Sequence, residues 1–285
     1  MNRRFASVGR VCAWLLLCLG LASCTGWAQA VLELGATEPA CLGRPVLLRV
    51  MTYNVHHGAG PAGEPRLDEM ARFLNDNRLD LIGLQEIDRN WSDRSGFRDQ
   101  AAELSRTTGM YATFFPTLTQ GQDSGYGLAI LSRFPSVRQV SGLYSQAREP
   151  RGYLAVEVQV AGRQVSFVVT HLGLDAAERA RQIEELAAAI ETLPGPLVLA
   201  GDFNCRPEDP ATQVLTSSLK DALSAVGRSA EGTLLTADGT PGARIDFLFA
   251  TPEWRIEDSL VPGVQYSDHR PVVAYLSFYV ERSEP

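Results

Sequence analysis

The amino-acid sequence predicts one α/β domain of the sandwich type, with mixed strands and flanking helices. Three observations lead there. Strand-like and helix-like segments alternate over residues 45–109. Five strand-like segments then follow one another over residues 111–172 with only turns between them. The clearest helical pattern comes next, and strands follow it again. A barrel of eight equal βα repeats would lack that antiparallel middle.

The elements follow in order. PVLLRVMTYNV (45–55) is a strand candidate. In RLDEMARFLNDN (66–77), Leu67, Met70, Ala71 and Leu74 recur at helical spacing. LDLIGLQE (79–86) is a short, nearly continuous apolar run, as a strand buried on both faces requires. RDQAAELSRTTG (98–109) predicts a helix with Gly109 just past its end. YATFFP, GLAILSRF, SVRQVSGLY, GYLAVEVQV and RQVSFVVTHL read as successive antiparallel strands, with Ala161–Arg163 as a hairpin connection. Asp175 is placed to cap the next helix, with Glu178 three residues on and Ile183, Leu186, Ala187 and Ile190 as its apolar stripe. Pro194-Gly195-Pro196 ends it, and PLVLAGDFN, ARIDFLFA and VVAYLSFYV supply further strands.

The N-terminus reads as an export segment over residues 1–30. Arg3, Arg4 and Arg10 precede the apolar run VCAWLLLCLGLA, which is short for a membrane span. Leu21–Cys24 (LASC) resembles a bacterial lipobox, in which Cys24 would carry lipid. Ala28-Gln29-Ala30 fits ordinary signal-peptidase cleavage. The lipoprotein is the favoured reading, with Thr25 suggesting the outer membrane, facing the periplasm or the cell surface; a soluble periplasmic or secreted protein is the alternative. Residues 31–45, with Gly35, Pro39, Gly43 and Pro45, read as a tether, and 46–285 as the domain.

Net charge is −7, and loss of residues 1–23 removes three arginines and no acid, leaving −10. That balance opposes non-specific nucleic-acid binding, which needs lysine and arginine to displace counterions. It does not exclude a nuclease whose metal handles the phosphate. Outside the export segment only Cys41 and Cys205 remain; export permits a disulfide between them, but their spacing does not argue for one.

Several strands finish in groups a core absorbs poorly. LIGLQE ends in Gln85 and Glu86, VSFVVTHL reaches His171, PLVLAGDFN delivers Asp202 and Asn204, and ARIDFLFA carries Asp246. The first strand ends in Asn54, His56 and His57; VQYSDHRPVVAYL places Ser267, Asp268, His269 and Arg270 at the mouth of the last. A buried, unpaired carboxylate costs several kcal/mol, so each group needs a partner. Structural partners exist for each: Arg89 for Glu86, Arg244 for Asp246, an Asx turn for Asp202 and Asn204, and a hydrogen-bonded core position for His171. If the first strand continued through His56 and His57, they would point to opposite sides and at most one would enter a site.

The distribution favours function instead. All four histidines lie at the end or mouth of a predicted strand, where ligands of α/β sheets gather. Carboxylates, amides and a few imidazoles suit a hard divalent cation, Mg²⁺ with Mn²⁺ as the alternative. A structural zinc site would want cysteines at close spacing, and no G-x-S-x-G elbow supports a serine nucleophile.

Taken in order, TYNVHHG, LIGLQEID, YGLAILSRFP, THLG, LAGDFN, RIDFLF and YSDHRP resemble the endonuclease/exonuclease/phosphatase superfamily. It includes deoxyribonuclease I, exonuclease III, neutral sphingomyelinases and inositol-polyphosphate 5-phosphatases. The resemblance runs from about Arg49 to Leu276 and implies a deoxyribonuclease I-like fold: a four-layer α/β sandwich of two packed mixed sheets flanked by helices. It implies Glu86 as principal metal ligand, with Asn54 beside it and Asp268 completing the metal–phosphate site. His269 would be general base, or donor to a phosphoryl oxygen, with its ring held by Asp246. Asp202 would orient the attacking water or take its proton; Asn204 and His171 would bind phosphate oxygens.

Arg151 matches an arginine of bacterial relatives and would either face the phosphate or point outward. Arg94, Asp99 and Gln100 also match that branch and read as supporting or packing residues. Leu128 stands where that branch commonly has Asn, which puts the substrate class in doubt. The implied activity is an exported, metal-dependent hydrolase of phosphate esters, a phosphodiesterase first, acting as a monomer on a lipid-linked, inositol-phosphate or nucleic-acid substrate. An extracellular endonuclease and a non-catalytic envelope-binding module on the same fold are the alternatives.

Overall fold

The computed structural model describes residues 44–145 and 148–280. The export segment, its two processing sites and Cys41 lie outside the described residues; Cys205 is buried. Among the described residues no helix is long and apolar enough to cross a membrane.

The chain runs β1 (Arg44–Asn54), α1 (Leu67–Asp76), β2 (Leu81–Arg89), α2 (Gln100–Thr108), β3 (Tyr111–Thr119), β4 (Gly125–Ser132), β5 (Ser136–Leu143), β6 (Gly152–Val160) and β7 (Arg163–His171). It continues through α3 (Ala176–Glu191), β8 (Leu197–Asp202), α4 (Pro210–Thr216), β9 (Lys220–Asp221), α5 (Ala222–Ala225), β10 (Asp246–Ala250), β11 (Arg255–Leu260) and β12 (Val272–Val280). The strands form two six-stranded sheets, ordered β11-β12-β1-β2-β4-β3 and β5-β6-β7-β8-β10-β9. Each contains one parallel pair, β1/β2 and β7/β8, and is otherwise antiparallel.

Alternation along the strands divides the apolar side chains among three layers of contact. Val50, Leu81 and Ile130 of the first sheet meet Val156, Phe167, Val198 and Leu248 of the second in the central core. On the outer face of the first sheet, Ile82 and Leu84 pack with Met70 and Leu74 of α1 and Leu104 of α2. On the outer face of the second, Val168, Leu199 and Phe249 pack with Ile183 and Leu186 of α3 and Leu215 of α4. The result is the expected four-layer sandwich. Its halves approach closely at Gly83, where an added Cβ would lie 3.0 Å from Val169 Cγ2.

The predicted caps are present. Asp175 accepts from the N–H groups of Ala177 and Glu178 at 2.9 and 3.1 Å, and Gly109 ends α2 in the left-handed region at φ 67°. Four elements exceed the sequence-based expectation: β9, β11 and the short helices α4 and α5. β11 (RIEDSL) is an edge strand of mostly exposed or half-buried residues, with a register shift between Ile256 and Asp258. An edge strand buries little and so leaves a weak apolar pattern.

Candidate active site

The two parallel pairs bring the ends of β1, β2, β7 and β8 to one rim. β2 reaches it through a bulge: its register against β4 shifts between Leu84 and Ile87, and Glu86 takes φ 59°. Gln85 is anchored to Thr52 Oγ1, donating through Nε2 at 3.1 Å, while Glu86 is re-aimed to the half-buried mouth. Bulges redirect side chains in this way beside functional sites. Asn54, at the end of β1, donates through Nδ2 to Glu86 Oε1 and to Asp202 Oδ2, each at 3.0 Å, joining the two sheets. Its Oδ1 accepts from the His56 N–H at 3.0 Å, so the expected ligand oxygen of Asn54 is already engaged.

Asp202 and Asp246 stand opposite each other on β8 and β10, both buried. His269 lies between them, with Nδ1 2.9 Å from Asp246 Oδ2 and Nε2 3.7 Å from Asp202 Oδ2. Burial alone would discharge that imidazole, but Asp246 and then Asp202 outweigh it and hold its pKa up at about 10. Burial first, and the Asp246 charge second, push Asp202 up to about 7. Ser267 sets the approach: its hydroxyl donates to Asn54 O at 2.8 Å and accepts from the His269 N–H at 3.1 Å, and it lies 3.1 Å from Asp268 Oδ1. The segment 233–235 clamps the other side, with the Asp246 N–H donating to Thr233 Oγ1 and the Leu235 N–H to Asp268 O.

His171 is buried beside Asp202, its Nε2 3.4 Å from Oδ2. Arg151 Nη1 lies 2.6 Å from His171 Nδ1. A guanidinium only donates, so Nδ1 accepts and the proton sits on Nε2, facing Asp202. Burial, then the charges of Arg151 and His269, hold the His171 pKa well below its ordinary value. Arg151 is therefore no outward charge; it is buried at the rim. Asn204, at φ 50°, donates to Leu172 O at 2.9 Å, and its N–H donates to Asp202 Oδ1 at 2.9 Å, so the Asx turn is real and sits inside the site.

Every candidate residue thus reaches one contiguous network, and two of the purely structural partnerships fail. Arg244 pairs with Asp221 rather than Asp246. Arg89 lies over the Phe114 ring. The strand does not continue through His56 and His57: β1 ends at Asn54, and both residues occupy a 3-10 turn with positive φ. Their imidazoles and Glu86 offer donor atoms within 4.8 Å of one another, so both histidines enter the site. Arg94 holds buried Asp88 through two nitrogens, at 2.9 and 2.7 Å, and lies over the Tyr126 ring. Leu128 is buried in the core between the sheets. Thr233 gave no signal in the sequence, because a lone threonine in a loop carries no spacing.

With that geometry, the sequence matches the model of the Endonuclease/Exonuclease/phosphatase family over residues 51–269. The chain belongs to this family. Its members are phosphoric ester hydrolases, generally dependent on divalent metal. The Escherichia coli K12 protein YbhP, itself uncharacterized, is 27% identical over 180 residues, which span 55% of this chain and 66% of YbhP. A crystal structure of a family member from Bacteroides thetaiotaomicron superposes with TM-score 0.71 at 20% identity, covering 82% of this chain and 99% of that one. A mannosyl-6-phosphatase of Bacteroides thetaiotaomicron VPI-5482 gives 0.69 at 20%, over 81% and 100%. The human Nocturnin catalytic domain with bound sulfate gives 0.64 at 22%, over 84% and 97%.

The donor set fits a divalent cation at the mouth. Glu86 is half-buried there, Asp268 Oδ1 lies 3.6 Å from His56 Nδ1, and the Nδ1 atoms of His56 and His57 are shielded from solvent without a hydrogen-bond partner. Deeper in, Asp246 Oδ1 is buried and unpartnered, but its other oxygen is committed to His269.

Proposed function

We propose that this chain hydrolyses phosphodiesters with a divalent cation held at Glu86 and Asp268. The observation that carries the reading is His269, enclosed by two buried carboxylates on the rim that also presents Glu86. The raised pKa makes His269 an imidazolium at neutral pH, which favours donation to a phosphoryl oxygen over proton abstraction. Asp202, pushed up to about 7, is the group poised to take a proton from water. Asp246 holds the His269 ring through Nδ1 and sustains its charge. Arg151, His171 and Asn204 supply positive charge and donors for the remaining oxygens. The cation would add charge neutralisation of those oxygens and acidify water.

Alanine at His269 tests the reading. Metal-dependent cleavage of bis(p-nitrophenyl) phosphate should fall by about 10²–10⁴-fold, and undiminished turnover would remove His269 from the mechanism. The acidic balance of the chain favours a non-nucleic substrate, a lipid-linked or inositol phosphodiester. Side-by-side assays of sphingomyelin, phosphoinositides, plasmid DNA and mannose 6-phosphate discriminate the classes. Faster turnover of DNA or of the monoester would overturn the preference. Export through the Cys24 lipobox belongs to the same proposal. Mass spectrometry of the mature N-terminus should find a lipid-modified Cys24.

A further inference from the structure

The turn after β1 is the least economical piece of backbone at the rim. His56 and His57 take φ 45° and 46°, in the left-handed region that few residues other than glycine enter, histidine being among the more tolerant with asparagine and aspartate. Two such residues in succession persist only where the surroundings fix them. Here they do. The His56 N–H donates to Asn54 Oδ1 at 3.0 Å, and the Ala59 N–H donates to His56 O at 2.9 Å. Gln100 Nε2 donates to His57 O at 2.6 Å, while its Oε1 accepts from the Asp88 N–H at 2.9 Å. A buried glutamine from α2 is thus spent on holding this turn.

What the turn achieves is the placement of two imidazoles against Glu86. The rings meet edge to face with centroids 4.3 Å apart. One donor atom from each of His56, His57 and Glu86 lies within 4.8 Å of the others. Both Nδ1 atoms are shielded from solvent and make no hydrogen bond; the nearest carboxylate to His56 Nδ1 is Asp268 Oδ1, at 3.6 Å. Glu86 Oε1 accepts from Asn54, and Oε2 has no hydrogen bond among the described residues. A shared cation would engage one nitrogen of each imidazole together with the Glu86 carboxylate. Imidazole nitrogen with carboxylate suits Zn²⁺, Co²⁺ or Ni²⁺, whereas Mg²⁺ seeks an all-oxygen shell.

We infer that His56 and His57 complete a nitrogen-containing cation site with Glu86, so that the rim selects a borderline transition ion over Mg²⁺. The catalytic meaning of this site rests on the proposed hydrolase, but its existence does not. The rival is a plain ion pair between His56 and Asp268, with His57 idle.

The test is metal binding by the untagged full chain, read from the visible absorption of Co²⁺ and from calorimetric titration with ZnCl₂ and MgCl₂. His56→Asn and His57→Asn keep a residue that tolerates the left-handed turn; Glu86→Gln is the third variant, and circular dichroism verifies folding. Each histidine variant should weaken Zn²⁺ and Co²⁺ binding by about tenfold or more and alter the Co²⁺ spectrum, with a smaller change for Mg²⁺. Glu86→Gln should weaken all three ions. Equal Zn²⁺ affinity and an unchanged Co²⁺ spectrum in both histidine variants would overturn the inference; so would wild-type chain that binds Mg²⁺ more tightly than Zn²⁺. A chain that binds Co²⁺ through the histidines but cleaves no phosphate ester would sink the hydrolase and leave the site standing.

Discussion

Asn54 stands opposite Gln85 where the β1/β2 pairing ends; His171 stands opposite Asp202 where β7 and β8 end. The two sheets share one pattern of strand directions, and these are the matching positions in it. Yet the ends differ in charge and in finish. The first presents Glu86, lifted by a bulge and half-exposed, beside two histidines with unengaged nitrogens. The second presents buried side chains already bonded to one another: Arg151 to His171, His269 to Asp246, Asn54 to Asp202. One end is an anionic cradle that wants a cation. The other sets Arg151 and the His269 imidazolium beside the carboxylates of Asp202 and Asp246. Under the proposed hydrolysis, a metal-bound phosphate ester would bridge the two ends, and the duplicated architecture would serve one site.

The largest expected effect comes from the buried end. Asp202→Asn should lower turnover by about 10²–10⁴-fold. The same change should raise thermal stability, and more at pH 8 than at pH 5. The sign follows from linkage: the folded carboxylate titrates near 7 against the ordinary 3.8, so ionisation opposes folding increasingly between those values and fully above them. An amide escapes that cost. Paired loss of activity and stability would show that Asp202 is structural, and the two ends would differ less than the geometry implies. The open end should respond differently. Glu86→Gln should raise the divalent-ion concentration for half-maximal turnover by about 10–100-fold, with little effect on melting in chelator. A large stability loss without metal would place Glu86 in the framework rather than the cradle.

The halves must also hold their spacing. Gly83→Ala inserts a methyl 3.0 Å from Val169 Cγ2 and 3.3 Å from Ala200 Cβ, in the central core. Overpacking of that kind should cost about 1–3 kcal/mol in urea unfolding. Because Asn54 spans from Glu86 to Asp202, turnover should fall as well. Lost stability with full activity would mean that the two ends work without a fixed separation.

How much of this was legible in the sequence follows the physics of each signal. Apolar runs and caps record burial and helix ends directly, so both core sheets and α1 to α3 were readable, whereas β11 at a sheet edge was not. Glu86, His171, Asp202 and Asp246 stood out because a charge at the end of an apolar strand demands a partner. Which partner is a tertiary fact: the residues alone offered Arg244 to Asp246, the family resemblance offered His269, and the fold pairs it with His269. Alternation put His56 and His57 on opposite sides only while the strand was assumed to continue. Asn54, accepting from the His56 N–H, accompanies the turn in which that strand ends, and nothing in TYNVHHG announces it. Thr233 clamps Asp246 from a loop without any pattern at all.

The smallest predicted effect separates the two sources of positive charge at the buried end. His171 is held neutral by burial and by Arg151, which donates into its Nδ1, so the charge there belongs to Arg151 and His269. Unfolded, the same imidazole accepts a proton near its ordinary 6.5. The unfolded chain then binds a proton that the folded chain refuses, and stability falls as pH drops below that value. A single such group contributes at most about 1.4 kcal/mol per pH unit. His171→Gln removes it while keeping an acceptor for Arg151. Between pH 6.5 and 5, the variant's unfolding free energy should therefore fall less steeply than that of the wild type. Parallel slopes would mean that His171 is charged in the fold, that Arg151 does not donate to it, and that the buried end carries three cations instead of two.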